Sequence, residues 1–283
     1  MEQYNGTITL FGTPAEENYG GKIKMLEEGA FDDVDFAIMI HPSSGHSLVK
    51  RGGRAATTVT MDFYGEAAHS CAPMYGINAL NAVLATFRNI DMQRPMFHPQ
   101  DNVNGIIPHG GTAPNAIPGY AQCVFSLRSD TLRHLRKLVE VVKHCGQQAS
   151  DLVGTRMECT VSLMYGERYP NGPMGDAFKR NMEWLGEEIK VADNRRLYGS
   201  SDIGNVSMKL PSIHEYLAID REYINSHAVE FTRAAETPRA DEVCLHGAMG
   251  LAMTALDLLS DEALRKAAWD EYHALVPAEY QTK

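Results

Sequence analysis

Gly6 to Pro42 reads GTITLFGTPAEENYGGKIKMLEEGAFDDVDFAIMIHP, and the reading of this stretch decides the fold. Thr7 to Phe11 alternates polar with apolar and is rich in β-branched residues, which predicts a strand broken by Gly12 and Pro14. Gly20 to Gly29 carries Ile23 and Leu26 three apart and ends on a glycine, which predicts a short helix. Phe36 to Ile40 is a continuous apolar run suited to a buried parallel strand. A strand, helix, strand unit of this length pairs its strands in parallel through a right-handed crossover, so both strands end on one edge. Glu16 and Glu17 then follow the first strand and His41 the second. The three side chains are expected in the crevice outside the carboxyl ends, where open α/β sheets bind ligands.

Adjacent carboxylates in an extended segment diverge, so one of the pair can bind a metal ion while its neighbour faces the water on that ion. A divalent metal brings the pKa of such a water towards neutrality and polarises a carbonyl, and a carboxylate beside it can take the proton. Metal-assisted hydrolysis is the reaction class this suggests. The alternative for Glu16–Glu17 alone is a solvated helix start, where acidic residues complement the helix dipole. His41 at the matching strand end favours the metal.

GTPAEE followed by GGK, then an apolar strand ending in HP, resembles the signature of the di-metal aminoacylase/carboxypeptidase amidohydrolases (metallopeptidase family M-twenty), in its aminobenzoyl-glutamate hydrolase and dipeptidase-like branch. The resemblance continues through GEAAHSCAPMYGINALNAV, GGTAPNAIP, GSSDIGNVS and SHAVEF, in the family's order. It implies that Glu16 is the general base and that Glu17, His41 and His227 are metal ligands. His69, in GEAAHSCAP, then corresponds to a histidine that reaches a neighbouring subunit's site and stabilises an oxyanion, a task for a positioned donor. Asn115 and Arg128 are candidates for holding a substrate carboxylate, Arg128 through a bidentate fork. Each has a plainer alternative, Asn115 closing a turn and Arg128 pairing on the surface. The implied cofactor is a divalent metal, zinc or manganese. The family supplies two more ligands from a segment upstream of GTPAEE, a Cys/His pair in a GHD-like motif. Only Met1 to Asn5 stand before the first strand here, so the resemblance implies a missing N-terminal part and a two-metal centre that this sequence does not complete. Two histidines and a carboxylate can hold one zinc with water as the fourth ligand.

The 283 residues, 44% hydrophobic and 22% charged, have the composition of a soluble globular protein of about two domains. No apolar run approaches the ~20 residues of a membrane span. A net charge of −10 and the lack of any Lys/Arg run oppose nucleic acid and anionic lipid as partners and leave a small molecule, which the resemblance implies is an N-acyl amino acid or dipeptide. Five cysteines without CxxC spacing make no disulfide framework, and Met1 to Thr7 lacks the features of a signal peptide; a reducing cytoplasm is expected.

Beyond His41 a polar, glycine-rich segment leads to a second unit. Thr57 to Phe63, Val103 to Ile107, Gln122 to Leu127 and Arg156 to Leu163 read as strands, with helices over Asn78 to Asn89 and Thr131 to Leu152. This β-α-β-β-α-β order is the ferredoxin-like pattern. The expected architecture is an α/β catalytic domain with an open, mostly parallel sheet, residues 1–54 and 164–283, carrying an α+β insert at 55–163. In the family that insert is the lid and dimerisation domain, so a homodimer is implied. Met174 to Leu185 reads as a helix, Asp202 as a helix cap or an orienting partner of a metal ligand, and Ile213 to Ile219 as a strand with His227 in the loop beyond. Arg239 to Leu259 and Asp261 to His273 read as closing helices, with Leu245, Met249, Ala252 and Leu256 as a core stripe and His246 and His273 on the surface. His46, His98, His109, His134, His144 and His214 have no partner at ligand spacing and are read as non-ligands. Cys71, Cys123, Cys145, Cys159 and Cys244 lack nucleophile context. The competing class is a non-catalytic peptide-binding or dimerisation module.

Overall fold

The computed structural model describes residues 6–194 and 198–281. In chain order the elements are α1 (Glu16–Tyr19), α2 (Gly21–Glu27), β1 (Ala37–Ser44), β2 (Ser47–Val49), β3 (Ala55–Tyr64), β4 (Ala68–His69), α3 (Ala79–Gln93), β5 (Asn102–His109), β6 (Ala116–Ile117), β7 (Tyr120–Ser129), α4 (Leu132–Val153) and β8 (Arg156–Val161). There follow α5 (Gly172–Trp184), β9 (Ile189–Val191), α6 (Ile203–Ser207), β10 (Ser212–Asp220), α7 (Val229–Ala234), α8 (Pro238–Ser260) and α9 (Glu262–Leu275). One compact unit takes the residues up to Gly53 and from Arg168 onward; the other runs from Arg54 to Glu167.

The second unit is an antiparallel sheet in the order β5-β7-β3-β8 under α3 and α4, which is ferredoxin-like. Strict alternation in β3 and β7 sends Val59, Met61, Phe63, Cys123, Phe125 and Leu127 to the helix side, where Val83, Ile90, Leu135 and Val142 are also buried. The unit reaches Glu167, past Leu163, because Ala56 bridges Tyr165 and the Leu132 N–H donates to Glu167 Oε2 at 2.6 Å.

The first unit has a four-stranded sheet in the order β1-β10-β2-β9. β1 pairs with β10 in parallel from Ala37↔Ser212 to Ser44↔Asp220, β2 runs antiparallel to β10, and β9 is parallel to β2. Here the structure corrects the sequence reading. Thr7 to Phe11 joins no ladder, and Leu10 is 96% exposed; β-branched alternation makes a strand only where a neighbouring edge is offered. The parallel partner of the HP strand is β10, far away in sequence. The strand also runs on to Ser44, so His41 lies within it rather than beyond its end. The helix expected from Gly20 begins earlier, as two short pieces, and Glu16 and Glu17 form the first turn of α1 instead of an extended segment.

These short helices are fixed by tight backbone and one buried ion pair. Ala15 and Gly20 both adopt left-handed φ, 64° and 55°, and a Cβ on Gly21 would sit 1.9 Å from the Pro14 carbonyl oxygen. Asp202, fully buried, does not cap its own helix α6. Its carboxylate instead accepts the Lys22 backbone N–H at 2.9 Å and the Lys22 ammonium at 2.8 Å.

α8 also departs from expectation. Leu245 is 66% exposed, and Met249, Ala252 and Leu256 are exposed with it; the buried face is Ala240, Val243, Gly247, Gly250, Thr254 and Leu258. Small residues win that face because the helix lies close on its neighbours. A Cβ on Gly247 would fall 2.3 Å from Ile40 Cδ1, and one on Gly250 equally close to Met182 Sδ. By length and composition α8 is apolar enough to span a bilayer, against the expectation of no such run, yet it packs on α5 and β10.

Removing one partner of a buried ion pair strands the other charge, at a cost of about 3–5 kcal/mol. Asp202→Ala is therefore expected to lower the midpoint of urea unfolding far more than Asp270→Ala, which breaks an exposed Lys266–Asp270 pair at 2.6 Å. Equal midpoints for the two variants would show that the Lys22–Asp202 pair does not hold this unit together.

Candidate functional site

The two faces of the β1–β10 pair have different chemistry. Ile38, Ile40, Ile213, Leu217 and Ile219 belong to the core under α5 and α8. On the opposite face Ala37 and Met39 pack into a second core with Phe31, Ile203, Val206 and Leu210, and further along lie His41, His214 and Tyr216. Period-two alternation and the register Met39↔His214, His41↔Tyr216 put these rings side by side. The His41 ring centroid is 5.6 Å from that of His214 and 5.1 Å from that of Tyr216, and His41 Nδ1 lies 2.6 Å from the Pro42 carbonyl.

His41 is exposed, whereas His214 is buried beneath it. The Arg168 guanidinium contacts His214 Nδ1, donates to Tyr216 Oη at 3.2 Å and to the Gly52 carbonyl at 2.8 Å. Arg51 stacks over Tyr216 with its guanidinium carbon 3.9 Å from the ring centroid. Burial holds the His214 imidazole well below its usual pKa, and the charges of Arg168, His41, Lys22 and Arg51 add to the effect. His214 is thus a neutral ring within a cationic wall.

Glu215 points the other way and is buried. Burial pushes its carboxyl up to about 8, against the opposing effects of the Lys50 N–H, which it accepts at 2.9 Å, and of the Arg168 and Lys50 charges.

His227 lies in the loop after β10 with φ 67°, a strained backbone for a residue other than glycine. Ser44, at the end of the His41 strand, clamps this loop: its hydroxyl donates to the Ile224 carbonyl at 3.0 Å and accepts the Ile224 N–H at 2.9 Å. Glu17, His41 and His227 are all exposed, on three segments that the Lys22–Asp202 pair and Ser44 tie to the sheet. Their donor atoms do not meet as a cluster. Among the described residues, the group of three or more ligand types within 4.8 Å is His98, Asp130 and His134, in the insert. As a donor set, two imidazoles and a carboxylate fit one zinc-like ion. A second ion would need ligands from elsewhere.

In the insert, His69 is exposed on β4, which pairs with β6 (His69↔Ala116), and the Asn115 carbonyl accepts the Ser70 N–H at 3.0 Å. His69 and Asn115 are therefore neighbours. Arg128 is not with them. It is near the far end of β7, eight residues and about 26 Å along the strand from Tyr120. Sequence reasoning missed the Arg51–Arg168–His214 wall, which is assembled from three distant segments. His98 and His134, read as non-ligands from the sequence, come together with Asp130, which stands four residues before His134.

A raised carboxyl pKa means that the folded state keeps a proton the unfolded chain has released. Glu215 thus costs stability as pH rises from about 4.5 towards about 8. His214 acts with the opposite sign below about 6.5, so the wild-type profile alone mixes the two. Unfolding free energy of Glu215→Gln minus that of wild type should grow between pH 5 and 8. A flat difference would place the Glu215 carboxyl in its ordinary range.

Residues 51–150 match the family model of the peptidase dimerisation domain. The chain is 35% identical over 274 residues to the Xaa-Arg dipeptidase of Mus musculus, covering 94% of this chain and 62% of that protein. It is 27% identical over 202 residues to one of the subunits of the p-aminobenzoyl-glutamate hydrolase of Escherichia coli, covering 68% of this chain and 42% of that one. In fold it is similar to an aminobenzoyl-glutamate utilization protein from Klebsiella pneumoniae (TM-score 0.69, 21% identity, 88% of this chain and 61% of that one). It is also similar to a dinuclear metal-binding peptidase of Bacillus subtilis (TM-score 0.61, 18% identity, 87% and 63%). The chain spans about three fifths of the length of the dipeptidases it matches. The chain thus carries a stretch that matches the peptidase dimerisation domain, is similar over 94% of its length to the Xaa-Arg dipeptidases, and shares the fold of an M-twenty peptidase.

Proposed function

We propose that this chain acts in a metal-dependent amide hydrolase that cleaves an N-acyl amino acid or dipeptide next to a free carboxylate. The observation that carries this reading is the coupling of the motifs in space. GGK is joined to GSSD by the Lys22–Asp202 pair, and HPSS is joined to the SHAVEF loop by Ser44 and Ile224. Glu16 and Glu17 stand beside the first join, His41 and His227 beside the second. The dipeptidase relatives make a dipeptide with a C-terminal arginine the first substrate to try.

Glu17, His41 and His227 would hold the ion, zinc in preference to manganese on the two imidazoles. Bound there, it would supply an acidified water and a polarised carbonyl. Glu16, adjacent to Glu17 on the first turn of α1 and about 100° round it, is free of the metal-binding task and takes the proton of the attacking water. His69 donates a hydrogen bond to the carbonyl oxygen as charge develops there, with Asn115 beside it to orient the substrate. Arg128, at the other end of the insert's sheet, pairs with the substrate carboxylate from a different approach than His69 does. The exposed edge strand β5, with Ile106 and Ile107 outward, offers a self-complementary surface for a homodimer. Five free cysteines go with a reducing cytoplasm.

The two glutamates separate by experiment. In an active preparation Glu16→Gln should retain bound metal and lose turnover by about 10²-fold or more, whereas Glu17→Ala should lose the metal itself. Equal metal loss in both variants would remove the assignment.

Assembly is tested by mixing. A His69→Ala protein and a Glu16→Gln protein, each inactive alone, should regain up to about a quarter of wild-type activity on subunit exchange, since one hybrid site in a mixed dimer holds both groups. Failure to complement, with exchange verified by mass, would mean that His69 serves its own subunit.

A further inference from the structure

We propose that the inserted unit carries a second metal site, formed by His98, Asp130 and His134, which is separate from the catalytic donors. The three come from different segments: the turn before β5, the residue after β7, and the first turn of α4. His134 Nδ1 is 2.7 Å from Asp130 Oδ1, His98 Nδ1 is 3.8 Å from Asp130 Oδ2, and the ring centroids of the two histidines are 4.9 Å apart. Neighbouring ligand atoms around a tetrahedral zinc with bonds of about 2.0–2.1 Å stand about 3.3 Å apart. The observed spacings bracket that value.

The trio is held in place by neighbours, as metal ligands are. Asp101 closes the His98 turn by accepting the His98 N–H at 3.0 Å. The buried Ser129 hydroxyl lies 2.6 Å from Asp101 Oδ1 and 3.2 Å from Asp130 Oδ1. The His134 N–H donates to the capping hydroxyl of Thr131 at 3.2 Å. His98 Nδ1 receives a long contact from the Gln100 N–H, 3.4 Å, which a metal ion would have to replace. Burial raises the Asp130 carboxyl, but its bonds and charges with His134 and His98 outweigh this and hold it below the ordinary range.

An imidazolium–carboxylate pair would account for His134 and Asp130 alone. It leaves His98 unexplained, since the His98 ring lies 4.9 Å from that of His134 and both δ nitrogens address one carboxylate. A divalent cation among three donors satisfies all of them at once. Two imidazoles with one carboxylate select zinc, cobalt or nickel over calcium or magnesium. Side chains 39%, 29% and 38% exposed leave the site open to exchange with solvent. Its effect would be to clip the turn before β5 to the start of α4.

The test uses the full chain stripped with a chelator and titrated with Co²⁺, read by visible absorption and equilibrium dialysis, and with Zn²⁺, read by thermal unfolding. His98→Ala/His134→Ala should lose one equivalent of cobalt, or bind it at least about tenfold more weakly, and should lose the zinc-dependent rise in Tm. Glu17→Ala should keep this equivalent and its share of the rise in Tm, and lose only the ion held by the catalytic donors. His134→Gln, which preserves a helix-compatible polar side chain, should lose the cobalt signal with an unchanged circular dichroism spectrum. The proposal is overturned if the double variant binds cobalt as wild type does, or if Glu17→Ala abolishes all binding. Neither result bears on whether the catalytic unit hydrolyses amides, which the Glu16 and Glu17 variants decide by turnover.

Discussion

The Lys22–Asp202 ion pair is the constraint on which the first unit depends. Both side chains are buried, so neither charge is tolerable alone, and the pair forms only when two segments 180 residues apart are in register. The carboxylate also takes the Lys22 backbone N–H, so it caps α2 as well as neutralising its lysine. That helix follows the left-handed Gly20 and the close approach of Gly21 to Pro14, which leave the short turn bearing Glu16 and Glu17 little freedom. An electrostatic contact thus sets the placement of the proposed base without touching it.

The same economy of means appears on the sheet. A parallel pair of strands buried on one face by Ile38, Ile40, Ile213 and Leu217 must present its alternate residues on the other. Those alternates are Met39, His41, His214 and Tyr216, apolar under α2 and α6 and aromatic or basic beyond them. Exposure then sorts the two histidines. His214 is sealed in with Arg168 at its δ nitrogen and stays neutral, which suits it to support the His41 ring rather than to titrate. His41 keeps its outer side open to solvent and to a ligand.

Legibility in the sequence followed the range of the physics involved. The insert was readable almost strand for strand, because its order, its amphipathic α4 and its alternating β3 and β7 are local properties. The first strand expected in the other unit was misread for the converse reason. Thr7 to Phe11 has the right composition, but pairing is a property of two segments, and the partner of β1 turned out to be Ser212 to Asp220. α8 misled through the assumption that large apolar residues face inward. Where backbones approach closely, Gly247 and Gly250 take the inner face and leucines are left outside. The candidate site residues could be named from the sequence as types and motifs, whereas the couplings of their segments through Asp202 and Ser44 could not.

The histidines make the same point about chemistry. His69, His41 and His227 attract notice because each stands in a recognisable sequence, yet each is exposed and none has a charged partner among the hydrogen bonds described for it. His98 and His134 stand in no motif and still converge on one carboxylate, because β7 and the Asp101–Ser129 contact carry two distant turns to the same corner. A motif reports what a segment is chemically able to do. Convergence on a shared partner reports what the fold has assembled, and where the two disagree it is the assembled group that has the lower entropic cost of closing on an ion.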